Sequence, residues 1–318
     1  ATNSIELDKT KIDETIRSSG KFEEPGIFIK KWEGGDSESD TQDIYITEIS
    51  KNGSKYIGTL DSKFKRDGYG LQIFENGDKY FGQFSQDQRN DEGIYFWAPD
   101  SNDSDTHSEL FLGNWRDNKK DNNGIYLWID QPLNNIEYEK ANFDAYVGEL
   151  ENERYIRGTY LSKIGNDLCL YHGNFDKEGK KTDENAFFYI SQTNRIFFGR
   201  IVKDILVSGY LGTVEVGGEE VKELAFCNFN EDGSVNEIIE MSKIDPEEAE
   251  DAKRKIGLFN RVIYEGDYFT KIYNKYLKTK NKVDNVLEDL NIFDKKDYFP
   301  DIKKLVNKYK RKNIYIYI

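Results

Sequence analysis

Apolar and polar positions alternate in short runs through much of this chain, and one pattern recurs among them. Six times an aromatic residue is followed two positions later by glycine, and two later again by an apolar residue. The six anchors are Tyr56-Ile57-Gly58-Thr59-Leu60, Tyr80-Phe81-Gly82-Gln83-Phe84, Phe111-Leu112-Gly113-Asn114-Trp115, Tyr146-Val147-Gly148-Glu149-Leu150, Tyr171-His172-Gly173-Asn174-Phe175 and Phe197-Phe198-Gly199-Arg200-Ile201. Positions i, i+2 and i+4 of a strand project from one face, so each anchor predicts a strand with all three residues on a common side. Successive anchors are 24, 31, 35, 25 and 26 residues apart, within the range of a repeat architecture.

A second signature trails each anchor. Gly68-Tyr69-Gly70 begins ten residues after Gly58, Gly93 comes eleven after Gly82, and Gly124 eleven after Gly113. Gly158 and Gly209 each come ten after Gly148 and Gly199, while the fifth unit drifts, with Ala186-Phe187-Phe188-Tyr189 thirteen after Gly173. Each unit therefore reads as two short strands joined by a polar turn. Asn52-Gly53 and Asn76-Gly77, flanked by β-type residues, are hairpin signals. A glycine inside a strand weakens it unless another group must come close. The expected group is the aromatic ring of a neighbouring unit, so that rings stack in a row over Gly58, Gly82, Gly113, Gly148, Gly173 and Gly199 as structural glycines.

These units resemble MORN repeats, whose pattern is roughly Tyr-x-Gly-x-(Trp/Phe/Leu), a turn, Gly-x-Gly and a hairpin into the next Tyr-x-Gly. Gly68-Tyr69-Gly70, the Asn76-Gly77 turn and Tyr80-Phe81-Gly82 carry the likeness most fully. Elsewhere the repeats are degenerate: the second glycine of Gly-x-Gly becomes Tyr95, Tyr126 and Tyr160. The resemblance spans residues 44–213 and implies a mainly β protein, a single-layer antiparallel array of β-hairpins. Members of this family serve as scaffolds in cytoskeletal assemblies, including radial spokes and other parts of cilia.

Outside the array, residues 1–43 form an N-terminal extension with a short helix pattern (Ile5, Ile12, Ile16) and a Gly/Asp/Ser linker at 34–41. Hairpin-like segments at 214–244, around Gly217-Gly218 and Asp232-Gly233, read as caps on the array. At Asp245-Pro246 the period changes to helical, Asp serving as N-cap and Pro as first helical residue. Ala249, Ala252, Ile256, Phe259 and Ile263 make one apolar stripe. Phe269, Ile272, Tyr273 and Tyr276 make a second, Val283, Val286, Leu287 and Leu290 a third, and Ile302, Leu305, Val306 and Tyr309 a fourth. Residues 245–318 thus predict a helical C-terminal domain, ending in a strand-like alternation at Ile314–Ile318. The loops 98–110 and 129–145 read as tolerated surface insertions, with binding decorations as the alternative.

Charge adds one contrast. The chain has 45 Lys+Arg and 59 Asp+Glu, a net −14, yet residues 270–318 hold 13 basic and 6 acidic residues, leaving 32 and 53 for the rest. Aromatic content of 14% is too high for disorder. Cys169 and Cys227 are too few and too far apart for a disulfide framework, which favours a reducing compartment. No signal peptide is legible, although the chain starts at Ala1 and a processed leader is left open.

Candidate chemistry is sparse. His107 sits in an acidic loop, and His172 fills a position held elsewhere by Ile57, Phe81, Leu112, Val147 and Phe198. Neither has a second ligand at metal spacing, and no nucleophile, phosphate-loop or dinucleotide motif is present. Asn228, Asn230, Asp232, Gly233 and Val235 imitate the start of an EF-hand loop. Ile239 stands where the bidentate Glu is required, so a hairpin is the better account. The expectation is a non-enzymatic scaffold subunit with no cofactor, metal or small-molecule substrate. It binds other protein subunits, not nucleic acid, through the aromatic row Tyr56, Tyr80, Phe111, Tyr146, Tyr171 and Phe197, with Phe111 and Tyr146 contributing most. A cytoplasmic, cytoskeletal or ciliary setting is expected from the resemblance, and the Lys/Asn/Ile/Tyr-rich composition, like that of an AT-rich protist genome, adds to it. The alternatives are a peripheral membrane tether using the basic C-terminal region, or an accessory subunit of another large complex, with a mitochondrial location left open.

Overall fold

The computed structural model describes residues 6–33, 43–99, 107–137, 140–214, 220–265 and 268–303. The protein is mainly β, an open antiparallel sheet of seventeen strands built from hairpins, with helices following it. Two compact units divide the chain, the first comprising residues 1–104, 108–122 and 272–301, the second 105–107, 123–271 and 302–318.

The first unit opens with α1 (Lys9–Ser19), whose Ile12 and Ile16 are buried. Asp8 accepts from the Lys11 N–H at its start, and Gly20, in the left-handed region at φ 76°, closes it by donating to Ile16 O. Then come β1 (Lys21–Glu24), β2 (Ile27–Lys31), β3 (Tyr45–Lys51), β4 (Ser54–Leu60), β5 (Arg66–Ile73), β6 (Lys79–Ser85), β7 (Gln88–Trp97) and β8 (Ser108–Arg116). β1 and β2 lie within residues 1–43, the N-terminal extension, beside its predicted short helix. Pro25-Gly26 turns the chain between them, Gly26 at φ 79°, and β2 pairs with β3. Strand β9 (Lys119–Ile129) runs from this unit into the second.

The second unit continues with β10 (Phe143–Glu151), β11 (Arg154–Ile164), β12 (Asp167–Asn174), β13 (Asp183–Ile190), β14 (Arg195–Val202), β15 (Ile205–Val214), β16 (Val221–Phe229) and β17 (Val235–Glu240). The predicted hairpin from Val214 to Val221 is present in its pairing of those two residues; its turn, like the linker 34–41, residues 100–106 and the tail from Leu305, lies outside the described residues. The EF-hand imitation is a hairpin: Asn230 N–H donates to Ser234 O, and Asp232 accepts from the Ser234 N–H at 2.9 Å.

Two kinds of turn recur in the hairpins. Two-residue turns with both residues left-handed occur at Asn52-Gly53, Gln86-Asp87, Asp117-Asn118, Asn152-Glu153 and Lys203-Asp204, the twist-matched turn for a tight hairpin. Three-residue loops ending in a left-handed residue occur at Phe64, Gly77, Gly179 and Gly233, and a four-residue loop between Ile190 and Arg195 ends in left-handed Asn194. Phe64 is unusual there; its ring is buried against Tyr45 at 4.8 Å.

The helices are α2 (Pro246–Glu265) and α3 (Tyr268–Asp289). Asp245 Oδ1 accepts from the Glu247 and Glu248 N–H groups at 3.0 and 3.2 Å, so the expected cap is in place. Ala249, Ala252, Ile256 and Phe259 are buried on α2, and Ile272, Tyr276, Val283, Val286 and Leu287 on α3. The second and third stripes therefore belong to one helix. The C-terminal region is helical, as expected, with α2 in the second unit and most of α3 in the first. Both stripes need apolar cover, and strand faces supply it. Among the described residues no helix is long and apolar enough to cross a membrane.

Candidate functional site

The strand register places the glycines in lines across neighbouring strands. Gly58 pairs with Gly70, Gly70 with Gly82, Gly82 with Gly93 and Gly93 with Gly113. In the second unit Gly148 pairs with Gly158 and Gly158 with Gly173. Farther along, Ala186 pairs with Gly199, and Gly199 with Gly209. The drifting fifth unit thus keeps its register with alanine in the glycine slot, after a bulge between Asp183 and Ala186.

The ring over each glycine pair is the unit's own anchor, which corrects the expectation of a neighbour's ring. A Cβ added to Gly58 would lie 2.5 Å from Tyr56 Oη, and one added to Gly70, across the ladder, 2.7 Å from the same atom. Tyr80 occupies the space of a Cβ at Gly93, and Tyr171 that at Gly173. A tyrosine lying along its strand covers position i+2 and reaches the carbonyl of i+3. Tyr56 donates to Thr59 O at 2.8 Å, Tyr80 to Gln83 O at 2.7 Å, Tyr146 to Glu149 O at 2.7 Å and Tyr171 to Asn174 O at 2.5 Å. Burial pushes all four phenols well above the usual tyrosine range, so they stay neutral donors.

The rings at i+4 lock successive anchors together. Phe84 stands edge-on against Tyr56 and Tyr80, and Trp115 against Tyr80 and Phe111, with centroids 5.0–5.6 Å apart. Phe175 does the same between Tyr146 and Tyr171, at 5.7 and 5.3 Å, and Phe229 meets Phe197 at 5.8 Å. Such edge-to-face pairs add about 0.5–1.5 kcal/mol beyond their area.

A lid that the sequence reading missed closes over each anchor from nine or ten residues downstream. Arg66 lies over Tyr56, Arg89 over Tyr80, Lys120 over Phe111 and Lys181 over Tyr171, at 5.6–5.9 Å from the ring centroids. Tyr155 stacks on Tyr146 at 3.8 Å, and Leu206 packs in the Phe197 cluster. Turn residues of the next hairpin hold three of these lids. Asp87 Oδ1 accepts from the Arg66 N–H, Asn118 Oδ1 from Arg89 and Asp204 Oδ1 from Lys181, at 2.8–2.9 Å. The legible signal was a basic residue two positions after a hairpin turn, of two residues before Arg89 and Lys120 and of three before Arg66 and Lys181.

With the lids in place the anchors are sealed. Tyr56, Tyr80, Phe111 and Tyr146 are 0% exposed, Tyr171 1% and Phe197 2%. The expectation that these six rings form an open docking row is corrected: they are the core of the array, and no ring surface is left for a partner. The helices cover the opposite face, not the anchors. Phe81 meets Tyr276 of α3 and Phe299 at 5.6 and 5.0 Å. In the second unit Phe187 stacks on Phe259 of α2 at 4.5 Å, and Tyr210 donates to Glu248 at 2.6 Å. His172 also lies on this face, its Nδ1 2.9 Å from Thr159 Oγ1 and its ring near Phe259. Burial first, then Arg157, lowers its pKa. His107 stacks on Trp128. Among the described residues no cluster of three or more His, Cys, Asp or Glu is placed to hold a metal.

The MORN repeat family model matches residues 65–79, 80–101 and 111–131, the strands in which the glycine line and the lids are most regular. Residues 65–131 carry MORN repeats. No curated protein matches it. The later MORN-like units, from Tyr146 onward, keep the glycine pairing and edge-on rings, with the basic lid kept over Tyr171 and replaced over Tyr146 and Phe197. MORN repeats are commonly protein- or membrane-interaction modules.

Proposed function

We propose that the chain is a non-enzymatic scaffold subunit that binds other proteins in a larger assembly. The observation that carries this reading is the closure of the array without help from outside. The anchors are filled by their own lids and i+4 rings, and the reverse face by helices, so each unit is a finished, rigid platform. The sequence offers no nucleophile, base and orienting group in a catalytic pattern, which supports a role without turnover.

Partners must engage the outer surface. Its large apolar residues, such as Ile164, Ile238, Leu258 and Phe293, are scattered along the chain, as is ordinary for any surface. Net charge of −14 makes electrostatic attraction of a basic partner the stronger recognition principle. A cytoskeletal setting, ciliary in particular, is the one the family resemblance favours.

Cross-linking with mass spectrometry on the chain purified from its own cells tests the reading. Links to at least one other polypeptide at fixed stoichiometry are expected. Recovery as a free monomer, or release only with anionic lipid, would overturn it.

A further inference from the structure

Within the first unit, on the face covered by α3, lies a cavity of 330 Å³ that neither the array core nor the helix fills. Its wall includes Trp32, Tyr69, Val286 and three carboxylates, Asp43, Asp61 and Asp67, and among the described residues no basic side chain lines it. Such a volume is at the small end of ligand sites and suits one extended side chain.

The carboxylates differ in what they already do. Asp61 Oδ1 accepts from the Lys63 and Lys65 N–H groups at 2.9 Å, which shapes its turn. Asp43 pairs with Lys31 at 2.6 Å. The Asp67 carboxylate has one long contact, from the Gln86 N–H at 3.4 Å, and among the described residues no cation pairs with it. Burial, opposed by that hydrogen bond and aided by Asp61, raises its pKa. Trp32 is fixed in place, its indole N–H donating to Asp289 Oδ2 at 2.8 Å. Aromatic faces beside a carboxylate lacking a counter-charge, over an apolar wall, match an alkyl chain ending in a cation.

We propose that this cavity receives a lysine or arginine side chain of a partner protein, its stem against Val286 and the aromatic rings and its charge at Asp67. The idea rests on the scaffold reading and names the chemistry of one contact within it. A protein segment is favoured over a free amine because the chain's acidic balance draws basic surfaces, and one short pocket anchors a segment held elsewhere too.

The full chain is titrated with Nα-acetyl-lysine methylamide, its arginine counterpart and the uncharged norleucine counterpart. The readout is the Trp32 indole N–H resonance, assigned by its loss in Trp32→Phe. Saturable shifts are expected for the two cations, with norleucine weaker by roughly tenfold, the ratio for one charge-assisted hydrogen bond. Asp67→Asn should lose the cation preference while its thermal unfolding stays that of the parent. Equal binding of norleucine, no saturable shift with either cation, or an unchanged preference in Asp67→Asn would overturn the proposal. Tighter binding of cadaverine than of a lysine-centred pentapeptide would overturn the assignment to a protein segment. The cross-linking experiment run on Asp67→Asn separates the two failures: partners retained without any cation preference reject the cavity and leave the scaffold standing.

Discussion

At the scale of single residues, glycines beneath the anchor rings, such as Gly58 and Gly70, are fixed by contact and not by backbone angle, whereas Gly82, at φ 152°, is constrained by both. Gly70 has a tyrosine ring where its Cβ would be, so Gly70→Val must push Tyr56 off its Thr59 hydrogen bond. We expect a loss of about 1–3 kcal/mol by urea unfolding, typical of overpacking. Gly257 in α2 is the contrast, with nothing within 4 Å of an added Cβ. Gly257→Ala should gain about 0.5–1 kcal/mol in the same measurement from helix propensity alone. His172 gives a pH signature. Its folded pKa is depressed below the unfolded value, so its contribution is fully present above about pH 6.5 and is lost as pH falls toward the folded pKa. Unfolding midpoints of the parent and of His172→Val, taken between neutral and mildly acidic pH, should diverge, with the parent falling more steeply. Parallel curves would remove the buried-imidazole argument.

At the scale of elements, each hairpin supplies something to the one before it. The turn residues Asp87, Asn118 and Asp204 bind the backbone of Arg66, Arg89 and Lys181, and those side chains close over the previous ring. Arg66→Met keeps much of the apolar stem but loses the guanidinium contacts to Gln72 and Asp87. The expected cost is about 1.5–3 kcal/mol, with faster amide exchange in β4 and β5 as the local readout. For α2 the decisive feature is its cap. Asp245→Ala should cost about 1 kcal/mol and speed exchange in the first turn, leaving the strands unaffected. The hairpins, the α2 start and both helix stripes were legible because turn residues, caps and periodicity are local. β1 and β2 were also signalled, by Pro25-Gly26, but a four-residue strand beside a helix pattern has too short an alternation to stand out. The lids were not legible as lids, because a basic residue just after a turn reads like any solvated side chain until its ring is placed beneath it.

At the scale of the whole molecule, the sequence by itself determined the repeat, the mainly β class and the glycine positions. Each of these follows from residues within one unit, where period-2 patterning decides which side chains share a face. Burial was a different matter. Whether the six aromatic anchors faced solvent or core depended on groups nine or ten positions downstream and on turns in the following hairpin. The assignment of α2 and α3 to different units, and the face each covers, rested on contacts between segments far apart in the chain, such as Phe81 with Tyr276 and Phe187 with Phe259. The cavity beside Asp67 likewise combines residues from β5, the flank of β2 and α3. Side-chain type and spacing fix what a strand can present; only the packed structure decides which presented groups remain free, because a ring or carboxylate is covered by whichever distant segment the fold brings against it.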